Sequence, residues 1–390
     1  MSIIILLFAI LLLLFSLLIL FWLNKFYKID IKTVQYQCID GLRGYLAFFV
    51  FLHHCYFYYY SHKNNLEHPY ASNAMNQIGD TSVILFFMIT GFLFTSKLLN
   101  EKEIKTDWIH FYTARILRIF PVFIILVSAQ LMVIFYLSDF TFFQKPLLII
   151  KEIILWLSFS IIDYLPINAF QDSQLMIGKV LWTIPYEIFF YLCIPLLSLF
   201  ISKHKSSFIL ITFNLFISIF IAYKINANWY YILPFLIGII VAFLLKNEFI
   251  AMRLNKTFYS FILLMSYFTA TIFIQSSFFT LILLSVSFIC VAGGNSLFGI
   301  LNSKISQLFG QISYSMYLLH GLILYILFNI HIGKEQMNEL SNLKYGITLF
   351  ECSTLLIFIS MITYKYIERP LIMKKTRIAE KIKTIFPKIR

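Results

Sequence analysis

An arginine and a histidine set eleven residues apart inside an aromatic, apolar run are the first candidates for chemistry. The run is Ile39 to Tyr60, IDGLRGYLAFFVFLHHCYFYYY, and it has spanning length. Ionisable groups at membrane depth are costly, so one that persists points to function. At ~100° per residue, His54 lies about 20° past three full turns from Arg43 and about 16 Å along the axis. The two side chains therefore share one helix face, and His53 falls roughly 80° off that stripe. Histidine accepts and returns a proton near neutral pH, which suits a general base. The plainer reading of a lone intramembrane histidine is a core residue bonded to a neighbouring helix. A metal site on His53, His54 and Cys55 is disfavoured, because adjacent residues point to different faces and no acidic ligand is near in sequence.

Other ionisable groups sit in similar runs. Arg115 and Arg118, in FYTARILRIFP, are three apart and so are neighbours on one helix face. Two guanidinium groups grip phosphates by bidentate bonds; a basic pair equally serves as a topology anchor. Lysine is the usual cation of this chain, and three of its few arginines are Arg43, Arg115 and Arg118. Glu187, in LWTIPYEIFFY, is a carboxylate in an apolar span and needs a partner to stay charged. Pro185 is expected to kink that helix and free a carbonyl. Trp182 is either an ordinary belt residue or a platform for a sugar ring. His320, in GQISYSMYLLH, is a second deep histidine, and Gly91 permits close helix packing. Glu368-Arg369-Pro370 either pairs with Arg115 or Arg118 or stops the last helix.

The elements that carry these groups follow from composition. The chain has 390 residues, 60% hydrophobic and 13% charged, against about 25% charged in a soluble domain. Apolar runs near 3–23, 42–60, 80–98, 119–138, 180–201, 207–223, 229–245, 258–274, 278–293, 312–330 and 345–367 predict about eleven membrane helices. A weaker run, 147–165, carries Lys151, Glu152 and Asp163 between Pro146 and Pro166. Residues 3–23 lack a basic leader and a small-residue cleavage site, so they read as a retained helix. Five cysteines occur singly, which gives neither a disulfide framework nor a zinc spacing. With the N-terminus outside and 147–165 not crossing, 24 of the 31 basic residues fall on the inner side. The expected fold is thus an all-α polytopic transmembrane bundle, N-out and C-in, with 147–165 re-entrant or at the outer surface. The net charge of +13 belongs to loops beside anionic lipid, and nucleic acid is not an expected partner.

Six segments, in order over residues 39–370, resemble the acyltransferase-3 family of integral-membrane acyltransferases, the O-antigen acetylase-like group. They are Asp40-Gly41-Leu42-Arg43-Gly44 with His54; Phe86, Phe87, Gly91 and Phe92; Phe111, Arg115, Arg118, Ile119 and Pro121; Trp182, Glu187, Phe190, Tyr191, Leu192 and Pro195; Gly310, Ile312, Ser313, Tyr314, Tyr317, Leu318 and His320; and Glu368, Arg369 and Pro370. Thr90 and Thr183 replace the family's usual serines, Phe123 stands where tyrosine is common, and the 3–23 span precedes the usual start. The organisation this implies is an extra helix and cytoplasmic loop at 1–38, a membrane acyltransferase domain at 39–372, and a basic cytoplasmic tail at 373–390.

The resemblance implies acyl transfer, most often acetyl, from cytosolic acyl-CoA to a hydroxyl of a cell-surface glycan or glycolipid. Lipopolysaccharide and exopolysaccharide are typical acceptors, and a bacterial inner membrane is the implied location. Acetyl-CoA is the donor substrate, and no metal is implied. His54 would act as base or carry the acyl group, with Arg43 beside it. Arg43, Arg115 and Arg118 would hold the donor; Trp182, Glu187 and His320 would meet the acceptor; Asp40 and Glu368 would support them. A flippase for a lipid-linked glycan or a membrane scaffold are the rival classes.

Overall fold

Backbone at membrane depth must satisfy its polar groups within its own segment, which favours helix. The computed structural model describes residues 3–385 except 31–34, 64–72, 160, 163–164, 205, 273–276 and 338. Expectations that rest on Lys32, Asp163, Lys205, Lys388 and Arg390 lie outside the described residues. In chain order the α-helices are α1 (Ile3–Tyr27), α2 (Gln37–Lys63), α3 (Asn73–Asn100), α4 (Trp108–Leu137), α5 (Pro146–Leu157), α6 (Ser173–Met176), α7 (Thr183–Ile201), α8 (Phe208–Lys224) and α9 (Trp229–Leu244). They continue as α10 (Glu248–Leu254), α11 (Thr257–Ile272), α12 (Phe278–Ala292), α13 (Lys304–Gln311), α14 (Ser313–Tyr325), α15 (Lys334–Met337), α16 (Asn342–Thr363), α17 (Arg369–Met373) and α18 (Lys375–Ile385). π-Helical turns at Ile326–Gly333 and Tyr364–Glu368 extend α14 and α16.

Six helices among the described residues are long and apolar enough to cross a membrane, or seven if α9 and α10, bent by 109°, form one span. The protein is therefore an all-helical integral membrane protein. The remaining expected spans fall on helices of other kinds. α8, α11 and α12 have 17, 16 and 15 residues, or about 22–26 Å against a hydrocarbon core of about 30 Å. α2 is long enough at 27 residues but carries Asp40, Arg43, Lys63 and three histidines. In the 147–165 region the helix has only 12 residues and ends at Leu157.

Two prolines behave differently from expectation. Pro185 lies in the first turn of α7, where the N–H it lacks has no intrahelical partner to lose, so the expected kink has no cause there. Pro370 does not stop the last helix. The chain stays helical to Met373, because the π-helical turn before Pro370 already departs from the regular bonding that proline would break.

The chain divides into two compact units. The first comprises residues 1–97 and 226–358. In it α2 packs against α12, α13 and α14, and α11 pairs with α12. Gly91 of α3 and Gly238 of α9 touch backbone to backbone: a Cβ on Gly91 would lie 2.3 Å from the Phe235 carbonyl oxygen. The second unit comprises residues 98–225 and 359–390. There α4 is covered by α5, α6, the second π-helical turn, α17 and α18, and α7 packs on α8. Tyr112 of α4 donates to Asn214 Oδ1 of α8 at 3.0 Å. Asp107 caps α4 by accepting from the His110 N–H at 3.0 Å, and Lys383 of α18 bonds the same carboxylate at 2.6 Å.

Candidate functional site

In the first unit, the glycines of the Asp40–Gly44 motif are explained by how closely α2 approaches α13. A Cβ on Gly41 would lie 2.0 Å from the Leu301 carbonyl oxygen, and one on Gly44 would lie 2.6 Å from the Phe309 carbonyl carbon. From the other side, a Cβ on Gly310 would lie 1.8 Å from the Asp40 carbonyl oxygen. Two motifs far apart in sequence are thus the two halves of one joint. Polar bonds fasten it: Tyr45 Oη meets Ser306 Oγ at 2.8 Å, and Gln307 Nε2 donates to the carbonyls of Gln37 at 2.7 Å and Leu301 at 2.8 Å. Arg43 sits at this joint and pairs with Asp40 at 3.4 Å, its i,i+3 neighbour.

Beyond the joint, α2 and α14 bring two histidines together. The rings of His54 and His320 lie 4.9 Å apart, inclined by 37°. His320 is fully buried. Its Nδ1 is 3.2 Å from the Met316 carbonyl, one turn back on α14, and its Nε2 has no hydrogen-bond partner. His53 completes a row of three. Its ring is 4.9 Å from that of His54 and inclined by 74°. Its Nδ1 is 2.8 Å from the Met75 carbonyl, so that nitrogen carries the hydrogen and donates it. Gly79 of α3 lets His53 in, since a Cβ there would lie 2.7 Å from the ring. One residue on, Asp80 accepts from the Tyr231 hydroxyl at 3.0 Å. Tyr345 donates to the Cys55 carbonyl, fastening the deep end of α2 to α16.

The structure thus brings together two residues to which the sequence assigns separate tasks. His320, expected to meet the acceptor, lies buried against His54. His53 is expected to stand apart from the stripe, and it touches His54 edge to face. The contact with His320 has no signal in the sequence, because it depends on which helices pair.

In the second unit, Arg115 and Arg118 of α4 share a face as expected, and both are partly buried. Tyr191 of α7 donates to Glu187 Oε2 at 3.0 Å, one turn back on the same helix. The Arg115 guanidinium lies 5.9 Å from the Tyr191 ring centre. Glu187 therefore has the partner its depth demands. Glu187, expected to meet the acceptor, and Arg115, expected to meet the donor, both lie beside Tyr191. Trp182 packs edge to face on Tyr186, with ring centres 5.9 Å apart. Glu368 is buried on the π-helical turn that packs against α4. Among the described residues no group of three His, Cys, Asp or Glu side chains could hold a metal ion.

The family model described as an acyltransferase domain matches residues 36–363. The chain belongs to the acyltransferase-3 family. Comparison with curated proteins and with solved structures gives no match. The matched stretch contains the glycine joint, all three histidines and the Arg115–Tyr191–Glu187 cluster; α1 and Glu368-Arg369-Pro370 lie outside it. Membership makes the protein a membrane acyltransferase, with an acyl donor and an acceptor as its substrates.

Proposed function

We propose that the protein is an O-acyltransferase that moves an acetyl group from cytosolic acetyl-CoA to a hydroxyl of a cell-surface glycan or glycolipid, such as lipopolysaccharide or exopolysaccharide, in a bacterial inner membrane. The observation that carries this reading is His54 itself: a histidine at membrane depth, flanked by two further imidazoles, in an acyltransferase-3 chain. His54 removes the proton of the acceptor hydroxyl as its oxygen attacks the thioester carbonyl. The carbon–sulfur bond breaks, and the proton passes from His54 to the leaving thiolate. No proton is gained or lost overall. Arg43, held by Asp40, neutralises charge at the near end of the same helix face. Arg115 and Arg118 bind donor phosphates, and Trp182 and Glu187 orient the acceptor, with Glu368 supporting α4.

The topology that suits donor inside and acceptor outside has eleven spans, N-out and C-in, with α5 at the outer face. Its 12-residue length supports that placement. Residues 39–372 form the acyltransferase domain, preceded by α1 and followed by a basic cytoplasmic tail. Membranes given labelled acetyl-CoA are expected to label surface glycan, and His54→Ala and Arg43→Ala are expected to abolish it. A flippase would move glycan and transfer no label. For topology, a reporter fused near Lys203 is expected to face inward, and an outward reporter overturns the eleven-span arrangement.

A further inference from the structure

His320 is the most confined ionisable ring in the first unit. Phe51 meets it at 6.5 Å and Tyr317 at 6.1 Å, inclined by 76° and 65°. A carbonyl oxygen only accepts, so the contact with Met316 requires hydrogen on Nδ1. In the neutral ring this leaves Nε2 as a bare acceptor, fully buried and without a partner. Burying an acceptor unsatisfied is unfavourable, and a buried polar group left so needs an explanation. His54 supplies one. Two imidazoles joined by an N–H···N bond have ring centres about 5 Å apart, and these stand at 4.9 Å. The rings are inclined by 37° and the His320 Nε2 has no partner within bonding distance, so the bond requires His54 to turn toward it.

We infer that His320 is a positioning residue for His54: its buried acceptor nitrogen takes the N–H of His54 and so fixes which nitrogen of His54 is left bare to receive the acceptor's proton. The Asp of a serine-hydrolase triad orders its histidine in the same way, by fixing the tautomer; here a neutral imidazole does so, which adds no buried charge. The glycine joint at Gly41, Gly44 and Gly310 sets the register of the two helices and with it the distance between the rings. His53 also donates from Nδ1 to a carbonyl, at Met75, but only His320 of the two is left with a buried, unpartnered Nε2. The kinetic consequence rests on the transferase reading above; the fixed tautomer does not.

The test has two arms. In the first, His320→Leu keeps the volume and removes the acceptor, whereas His320→Gln restores an acceptor oxygen at the ε position. With acetyl-CoA as donor, kcat is expected to fall on the order of 10²-fold in His320→Leu, with KM for acetyl-CoA unchanged, and to recover at least tenfold in His320→Gln. Equal loss in both variants, or loss in KM alone, overturns the proposal. The second arm needs no turnover. Histidine is labelled with ¹⁵N in the wild-type protein, and the His54 signals are assigned by their disappearance in His54→Ala or, if that variant does not fold, in His54→Gln. A single neutral tautomer of His54 is expected, and a mixture of both tautomers overturns the proposal. If wild-type protein transfers no label yet His54 shows one tautomer, the transferase reading fails and the positioning stands.

Discussion

Replacing Gly310 by alanine tests the joint between α2 and α13 with one methyl group. The new Cβ would fall 1.8 Å from the Asp40 carbonyl oxygen. Ordinary contact begins near 3.4 Å, so the two backbones must part by about 1.6 Å, because atoms that close repel steeply and a dispersion attraction of ~0.1–0.2 kcal/mol per pair cannot hold them there. The obstacle is backbone on both sides, so no side chain can swing away to relieve it. Overpacking of this kind costs about 1–3 kcal/mol. The parting also separates the start of α2, which leads to His54, from the start of α14, which leads to His320. A misplacement of about 1 Å at a catalytic group costs on the order of 10²-fold in rate. Gly310→Ala is therefore expected to lower the thermal midpoint and to reduce acetyl transfer on the order of 10²-fold in membranes with matched protein levels. Gly346→Ala serves as the comparison, because a Cβ there would meet only the edge of the Phe8 ring, at 3.3 Å. A Gly310→Ala protein with wild-type transfer and an unchanged midpoint would refute the joint as the device that registers the two histidines.

Three other outcomes follow from the same geometry. His53→Ala is expected to keep transfer within about tenfold of wild type, whereas His54→Ala loses on the order of 10²–10⁴-fold; equal losses in a labelled-acetyl assay would make His53 part of the chemistry. Tyr191→Phe removes the donor to Glu187 and is expected to lower stability by about 1.5–3 kcal/mol, the range for a bond to a charged group. An unchanged unfolding midpoint would show that Arg115 alone satisfies Glu187. The third outcome concerns α18 and pH. Burial opposes ionisation of Asp107, but the His110 N–H and the Lys383 ammonium overcome it and hold the carboxyl below its usual value. That contribution is complete above the ordinary carboxylate value near about 4 and disappears as pH falls through the lowered one. Lys383 is raised by its bonds to Asp107 and Glu380, so its contribution disappears only as pH climbs through the raised value, above about 10. Hydrogen exchange in Lys375–Ile385, corrected for its intrinsic pH dependence, should stay flat from about pH 5 to 9 and rise outside that window. A transition near neutral pH would contradict the tether.

Apolar run length made the helical class legible, and period-3.6 arithmetic placed Arg43 and His54 on one face. Which helices meet was not legible. The contact of His320 with His54 depends on Gly41, Gly44 and Gly310 sharing one close approach, and a glycine shows in sequence only that something comes near. Pro185 was misleading for a local reason: its effect depends on its place in the helix, and the preceding 3₁₀ turn at Val180–Trp182 shifts the start of α7 to Thr183. Pro370 misled because π-helical bonding leaves no signature in residue type. Glu187 announced its need of a partner, but nothing in the sequence chose Tyr191 and Arg115 over any other pair. Span number is the least legible feature, since α8, α11 and α12 are apolar throughout and yet shorter than a bilayer core.

The central claim is that His54 carries out acetyl transfer within the membrane. Its most direct test is the transfer of labelled acetyl from acetyl-CoA to glycan in membranes holding wild-type protein or His54→Ala at equal abundance. Label in the glycan with wild type and none with His54→Ala is the expected result. Equal labelling in both would contradict the claim.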